Sequence, residues 1–224
     1  SQMMINTCYY DGPISTNEKG DLLFFTNNHG SDKNEKLTIY YSTKNSSGEW
    51  AKPQPVPFNN DKYNVTHPYF DEKNKMLYFS SDMPGGSGGM DIYKCTFDKG
   101  KFGQKEAVRF VNTDKNDIFP IVYKDKLYFT SQGHKSVGGY DLFVMENFEV
   151  NSLGAPFNTT FDDLAILFTD DKNGYITSNR ATSGATDDIF AFNLKEKFVD
   201  KQLDYVVTDA QSGEPVADVA IRII

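Results

Sequence analysis

The sequence predicts an all-β protein, a small β-propeller built of four-stranded antiparallel blades, and three observations carry that reading. A strand-rich unit recurs: Leu77-Tyr78-Phe79-Ser80-Ser81 returns about fifty residues later as Leu127-Tyr128-Phe129-Thr130-Ser131, and Asp91-Ile92-Tyr93 returns at the same distance as Asp141-Leu142-Phe143. Repeats of this length with strand-type content belong to propellers and solenoids. The composition agrees: aromatics make up 14% of the chain, with 18 Phe and 13 Tyr against 1 Trp. Aromatic strands separated by Gly, Asn, Asp, Ser and Thr suit many short strands joined by turns. Finally, no segment sustains the apolar period of a long amphipathic helix.

Each blade can be followed along the chain. Its first strand follows a proline or its equivalent, as in Pro68-Tyr69-Phe70, Pro120 to Tyr123 and Leu164 to Thr169. The second strand is MLYFSS, KLYFTS or GYITSN, with a looser early copy at Leu22 to Asn27. The third opens at Thr38, Asp91, Asp141 and Asp188, and an outer strand ends at an asparagine step. Those steps are Asn6-Thr7, Asn59-Asn60, Asn112-Thr113 and Asn158-Thr159, each at one fixed spacing before Asp11, Asn64, Asp117 or Asp163. Within the unit Trp50 matches Phe102, and Phe58 and Phe110 follow them at equal distance. Period-two alternation lets each blade pack one face on its neighbour, so no blade buries its apolar face alone. The visible units run from about Pro13 to Leu194. Ser1 to Thr7 matches the outer-strand end of a unit whose beginning is missing. Either that segment completes the fourth blade and closes a four-bladed ring, or a blade lies upstream.

The link SDMPGGSGGMDIYK, Ser81 to Lys94, sets glycines and an aspartate directly before a third strand. The glycines are expected to supply positive-φ conformations. The aspartate recurs as Asp91, Asp141 and Asp188, which is what a side-chain acceptor for backbone N–H groups of the link would do. A catalytic acid would be expected in one copy.

Length suits one domain of ordinary size or one plus a fragment. The formal charge of −8 argues against nucleic acid. No stretch is long and apolar enough to span a bilayer, so direct membrane insertion is not expected, and without a leader the chain reads as a mature or excised piece. Cys8 and Cys95 lack metal-type spacing, and His29, His67 and His134 are scattered, so zinc is not expected. Two free thiols are the plainer reading of the cysteines. No cofactor is expected.

The residues Tyr175 to Phe190, YITSNRATSGATDDIF, resemble the WD-repeat-like propeller repeats of the TolB type, whose second strand ends in FSSNR before a Gly-rich link and DIY. The resemblance covers about residues 1–200. Only the fourth copy has the arginine, Arg180, with Met83 and Gly133 in the second and third copies. An Arg–Asp tie is thus implied in one blade, between Arg180 and Asp187 or Asp188. Leu153 to Asp163 resembles the repeat junction of Bacteroidetes-type envelope proteins. Leu203 to Ile224, with Asp209 to Pro215 as a turn, looks like the start of a carboxypeptidase-regulatory-like β-sandwich, giving domains 1–200 and 201–224. That order is similar to OmpA-family outer-membrane lipoproteins, one group of which resembles the PorE component associated with type IX secretion. The resemblance implies a five-bladed parent and a periplasmic, outer-membrane-associated scaffold. It also implies protein partners of the bacterial envelope, and peptidoglycan only through domains outside this chain.

A non-enzymatic interaction platform is therefore the expected function, with the loops Ile5 to Gly12 and Asn59 to His67 as candidate contacts. The competing class is a carbohydrate-binding or glycosidase-type propeller, which needs carboxylates in unequal roles. Asp11, Asp117 and Asp163 occupy equivalent positions instead, and Ser42 to Trp50 resembles a sialidase Asp-box without its aspartate. Asp11, Asp117, Asp162 and Asp163 are also candidate oxygen ligands for a hard cation, although their spacing matches no calcium loop.

Overall fold

The computed structural model describes residues 11–28, 36–182, 186–195 and 212–214. The chain divides into two compact units, residues 1–193 and 194–224. Of the second unit only residues 194, 195 and 212–214 are described, so the sandwich-like strands read from Leu203 to Ile224 lie outside the described residues, as do Ser1 to Tyr10.

The first unit is all-β, four small antiparallel sheets arranged as the blades of a propeller. Blade one holds β1 (Asp11–Thr16), β2 (Leu22–Asn27), β3 (Thr38–Thr43) and β4 (Gln54–Pro55). Blade two holds β5 (Val65–Asp71), β6 (Met76–Ser81) and β7 (Asp91–Asp98), whose edge pairs with both β8 (Lys101–Phe102) and β9 (Glu106–Ala107). Blade three holds β10 (Asp117–Tyr123), β11 (Lys126–Ser131), β12 (Asp141–Glu146) and β13 (Glu149–Ser152). Blade four holds β14 (Asp163–Phe168), β15 (Asn173–Ser178) and β16 (Asp188–Asn193), with no fourth strand among the described residues. A 3-10 turn at Arg180–Thr182 is the helical element among the described residues.

Blades stack through three apolar seams. Phe24, Ile39 and Phe58 of blade one meet Phe70, Phe79 and Phe97 of blade two. Tyr78 and Ile92 meet Leu127, Phe129 and Phe143, and Tyr128 and Leu142 meet Ile166, Ile176 and Phe168. The inner strands follow the same order, β1 on β5, β5 on β10 and β10 on β14. Among the described residues no strand packing of similar extent joins blade four to blade one.

The register aligns the copies and corrects two sequence equivalences. Thr26, Ser80, Thr130 and Thr177 face Ile39, Ile92, Leu142 and Ile189 across the second and third strands. The first strands open at Asp11, Val65, Asp117 and Asp163, so Asn64 does not belong in the acid series. One extra junction residue before blade two shifts the count from Asn59. Likewise Val111 precedes Asn112 as Phe58 precedes Asn59, and Val111 and Phe58 are both buried. Phe110 is a further aromatic exposed beside Phe148, with ring centroids 5.8 Å apart.

The link glycines meet the expectation in part and add a second role. Of those in the blade-two link, Gly85 has a positive φ of 93°, whereas Gly88 is needed for close approach. A Cβ on Gly88 would lie 2.3 Å from the Asp114 carbonyl carbon, and one on Gly138 would lie 2.1 Å from the Phe161 oxygen. At Gly88 and Gly138 the links of blades two and three press on the backbone of the next junction, which cannot yield as a side chain would. Gly138→Ala should therefore cost roughly 1–3 kcal/mol through overpacking, read from urea denaturation. An unchanged midpoint would show that the link does not press on the junction.

Candidate functional site

Two features of the propeller offer chemistry: the polar loops that hold the acids, and a cavity on the axis between the inner strands.

At the loop end the asparagine steps bind the backbone of the preceding third strand. Asn59 Oδ1 accepts from Ile39 N at 3.0 Å while its Nδ2 donates to Ile39 O at 2.7 Å. Asn112 brackets Ile92 in the same way at 2.7 and 2.9 Å, and Asn158 brackets Leu142 at 2.9 and 2.9 Å. Each amide supplies one donor and one acceptor, which matches one backbone residue. The following threonines continue the tie. Thr113 donates its N–H and its hydroxyl to Asp117 Oδ2 at 2.6 and 2.9 Å, and Thr159 does the same to Asp163 at 2.6 and 3.0 Å.

Third-strand aspartates hold the glycine links. Asp91 Oδ2 accepts from Ser87 N at 2.7 Å and Gly88 N at 3.4 Å. Asp141 Oδ2 accepts from Val137 N at 2.8 Å and Gly138 N at 2.9 Å. Asp188 is exposed, and part of its link lies outside the described residues. Asp162 Oδ1 accepts from Tyr140 N at 2.9 Å, as Asn116 Oδ1 accepts from Met90 N at 2.9 Å and Asn64 Oδ1 from Leu37 N at 3.0 Å. These bonds stitch each blade to the next.

Register brings two acids beside one serine in blade three, Asp117 and Asp141 flanking Ser131, and Asp163 and Asp188 flanking Ser178 in blade four. Asp117, Asp141 and Asp163 are each 0% exposed. A carboxylate sealed from solvent and spent on backbone N–H groups cannot reach a substrate. Among the described residues no group of three or more His, Cys, Asp or Glu side chains converges as a metal site. The side chain of Asp11 lies outside the description.

The carboxylate that Arg180 binds is Asp163 rather than Asp187 or Asp188. Its Nη2 donates to Asp163 Oδ1 at 2.6 Å and to Phe157 O at 2.5 Å, its Nη1 to Pro156 O at 2.9 Å and its Nε to Ser178 Oγ at 3.0 Å. The fork thus binds a buried carboxylate and two junction carbonyls, a geometry lysine lacks. In blade three the equivalent acid oxygen, Asp117 Oδ1, is buried with no hydrogen-bond partner.

Burial raises Asp91, Asp117 and Asp141 above the ordinary carboxylate range, against the lowering effect of their donors. A carboxyl raised on folding holds more protons in the folded state between its two pKa values. Stability therefore falls as pH rises through that window, and the penalty is complete above the folded-state pKa. Asp117→Asn removes the titration. The unfolding free energy of the wild type relative to this variant should drop as pH rises above about 4, the ordinary aspartate value. A flat or rising difference would contradict the assignment.

The axial cavity, about 410 Å³, is lined by all four inner strands, among them Pro13, His67, Pro68, Phe119, Pro120 and Ala165. Among the described residues no charged side chain lines it. His67 and Phe119 sit at the bulges of β5 and β10 with φ of 51° and 52°, and their rings lie 4.0 Å apart. Burial pushes His67 down to about 3, so its imidazole is neutral. Composition and spacing gave no reason to single out His67, because its placement depends on the bulge. Cys95 is a buried free thiol pushed up to about 12 and is no nucleophile; Cys8 lies outside the described residues.

No family model and no curated protein matches the chain. Solved structures do. A putative TolB from Agrobacterium tumefaciens aligns with TM-score 0.54 and 14% identity over 74% of this chain and 53% of its own. A Mycobacterium tuberculosis puromycin-hydrolyzing peptidase aligns with TM-score 0.53 and 14% identity over 75% of this chain and 25% of its own. A puromycin hydrolase aligns with TM-score 0.54 and 9% identity over 76% and 25%. The chain thus has the fold of a TolB-like β-propeller. It spans about half the length of the TolB structure and a quarter of the peptidases.

Proposed function

We propose that the chain is a non-enzymatic protein-interaction platform of the bacterial envelope, acting in the periplasm or at the outer membrane. The observation that carries this reading is the outward face of blade four. At one repeat position Ile39, Ile92 and Leu142 are 0%, 0% and 1% exposed, each covered by the next blade, whereas Ile189 is 75% exposed. Tyr175 and Leu167 on the same blade are 46% and 55% exposed. The seams between the blades set the pattern such a face would take: Leu77 and Phe79, Leu127 and Phe129, and Ile176 with Phe168 each lie on the sheet that covers the preceding blade. Thr186 stands where Gly89 and Gly139 stand, so a partner has to leave more room at the link than an ordinary blade does. The partner is accordingly a β-structured envelope protein that packs on Ile189 and Tyr175.

The resemblance supports the finer assignment, an OmpA-family lipoprotein of Bacteroidetes type similar to the PorE component of type IX secretion. In that reading the propeller occupies about residues 1–200, and a regulatory-like sandwich begins near 201. Other domains of the parent reach peptidoglycan. The buried, evenly repeated carboxylates speak against the glycosidase alternative. To test the reading, immobilised protein is exposed to native envelope extract, and retained proteins are identified, purified and bound again. Ile189→Glu should weaken re-binding at least tenfold with an unchanged melting curve. Re-binding indifferent to this variant, or hydrolysis of peptide or aryl-glycoside substrates by the chain, would overturn it.

A further inference from the structure

The axial cavity has features that the packing of the blades does not require. Its volume, about 410 Å³, falls within the range of small-molecule pockets, about 300–1,000 Å³. Pro13, Pro68 and Pro120 come from the inner strands of successive blades and line it together, while blade four contributes the smaller Ala165. Two side chains as large as His67 and Phe119 rarely adopt a positive φ. Both sit on bulges, which re-aim side chains, and both line the cavity.

Among the described residues that line it, His67 supplies the buried polar group left unsatisfied. Its Nδ1 is sealed from solvent with no hydrogen-bond partner, which leaves Nε2 as the nitrogen open to the cavity. A sealed N–H is costlier to leave orphaned than a bare lone pair, so the proton belongs on Nε2. Of the other polar groups, Tyr69 donates its hydroxyl to Val122 O at 2.6 Å and Ser15 Oγ accepts from Phe70 N at 2.9 Å, whereas the Thr16 hydroxyl is exposed. Among the described residues the cavity therefore offers one N–H donor within a mostly apolar, uncharged wall. Proline C–H groups and phenyl edges are electropositive surfaces that favour the π face of a ring.

We propose that the axial cavity is a binding site for a small neutral aromatic molecule carrying one carbonyl-type acceptor, its ring held among Pro13, Pro68, Pro120 and Phe119 and its acceptor bonded to His67 Nε2–H. The solvatochromic ketone prodan has this chemistry and serves as the probe. Titrated into the chain, it should give a saturable, one-to-one blue shift of its emission. Ala165→Trp fills the cavity and should weaken binding at least tenfold. Ile14→Trp, at an exposed lining position, does the same should Ala165→Trp fail to melt cooperatively. His67→Phe keeps a ring but removes the donor and should weaken binding about threefold to tenfold. Ile189→Glu, on the outward face of blade four, should leave it unchanged. No saturable shift, a shift that survives either tryptophan, indifference to His67→Phe, or loss with Ile189→Glu would each overturn the site.

Discussion

Phe24→Ala should destabilise the propeller by about 3–5 kcal/mol. Phe24 is fully buried in the first seam. It meets Phe97 edge-on at 5.0 Å between ring centroids, with Phe70 at 5.6 Å and Tyr41 at 5.9 Å. Truncation removes the transfer free energy of the ring and leaves a cavity between two sheets, whose strands are fixed by their own ladders and cannot collapse into it. The lost edge-to-face contact adds to this. Urea denaturation measures the change directly. A loss under about 1 kcal/mol would mean that the seam repacks, which a sheet-on-sheet interface of this density should resist.

Arg180→Ala should cost roughly 2–4 kcal/mol, somewhat less than breaking a fully buried ion pair because the arginine side chain is 22% exposed. The substitution strands Asp163, which is 0% exposed, and also frees the carbonyls of Pro156 and Phe157. A second substitution separates these parts. Asp163→Asn in the Arg180→Ala background removes the stranded charge and should recover part of the loss. If the double variant is no better than Arg180→Ala alone, the carbonyl contacts rather than the charge carry the effect.

The repeat made most of the fold legible. Strand starts at Asp91, Asp141 and Asp188 follow from spacing alone, because a blade is a local unit whose alternation shows in each copy. What spacing missed depends on contacts between units. A one-residue insertion before Val65 shifted the acid series onto Asn64. Sequence proximity pairs Arg180 with Asp187 or Asp188, yet its partner lies across the sheet, where Asp163 pairs with Ser178. Gly88 and Gly138 look like turn formers in sequence, whereas their need for a missing Cβ comes from the backbone of the next junction. The asparagine steps were visible as a motif, but their grip on Ile39, Ile92 and Leu142 was not, since a side-chain bond to backbone leaves no pattern at the acceptor. Ile189 matches its three counterparts in type and position, so nothing local marks it as exposed.

That last difference is the centre of the functional account, and alanine substitutions at the four equivalent positions test it most directly. Ile39→Ala, Ile92→Ala and Leu142→Ala should each cost about 2–5 kcal/mol, as buried aliphatic truncations do. Ile189→Ala should stay within about 0.5 kcal/mol, as an exposed substitution does. Four comparable losses in parallel urea denaturations of the isolated chain would contradict the account, because they would show the outward face of blade four already covered and unavailable to a partner.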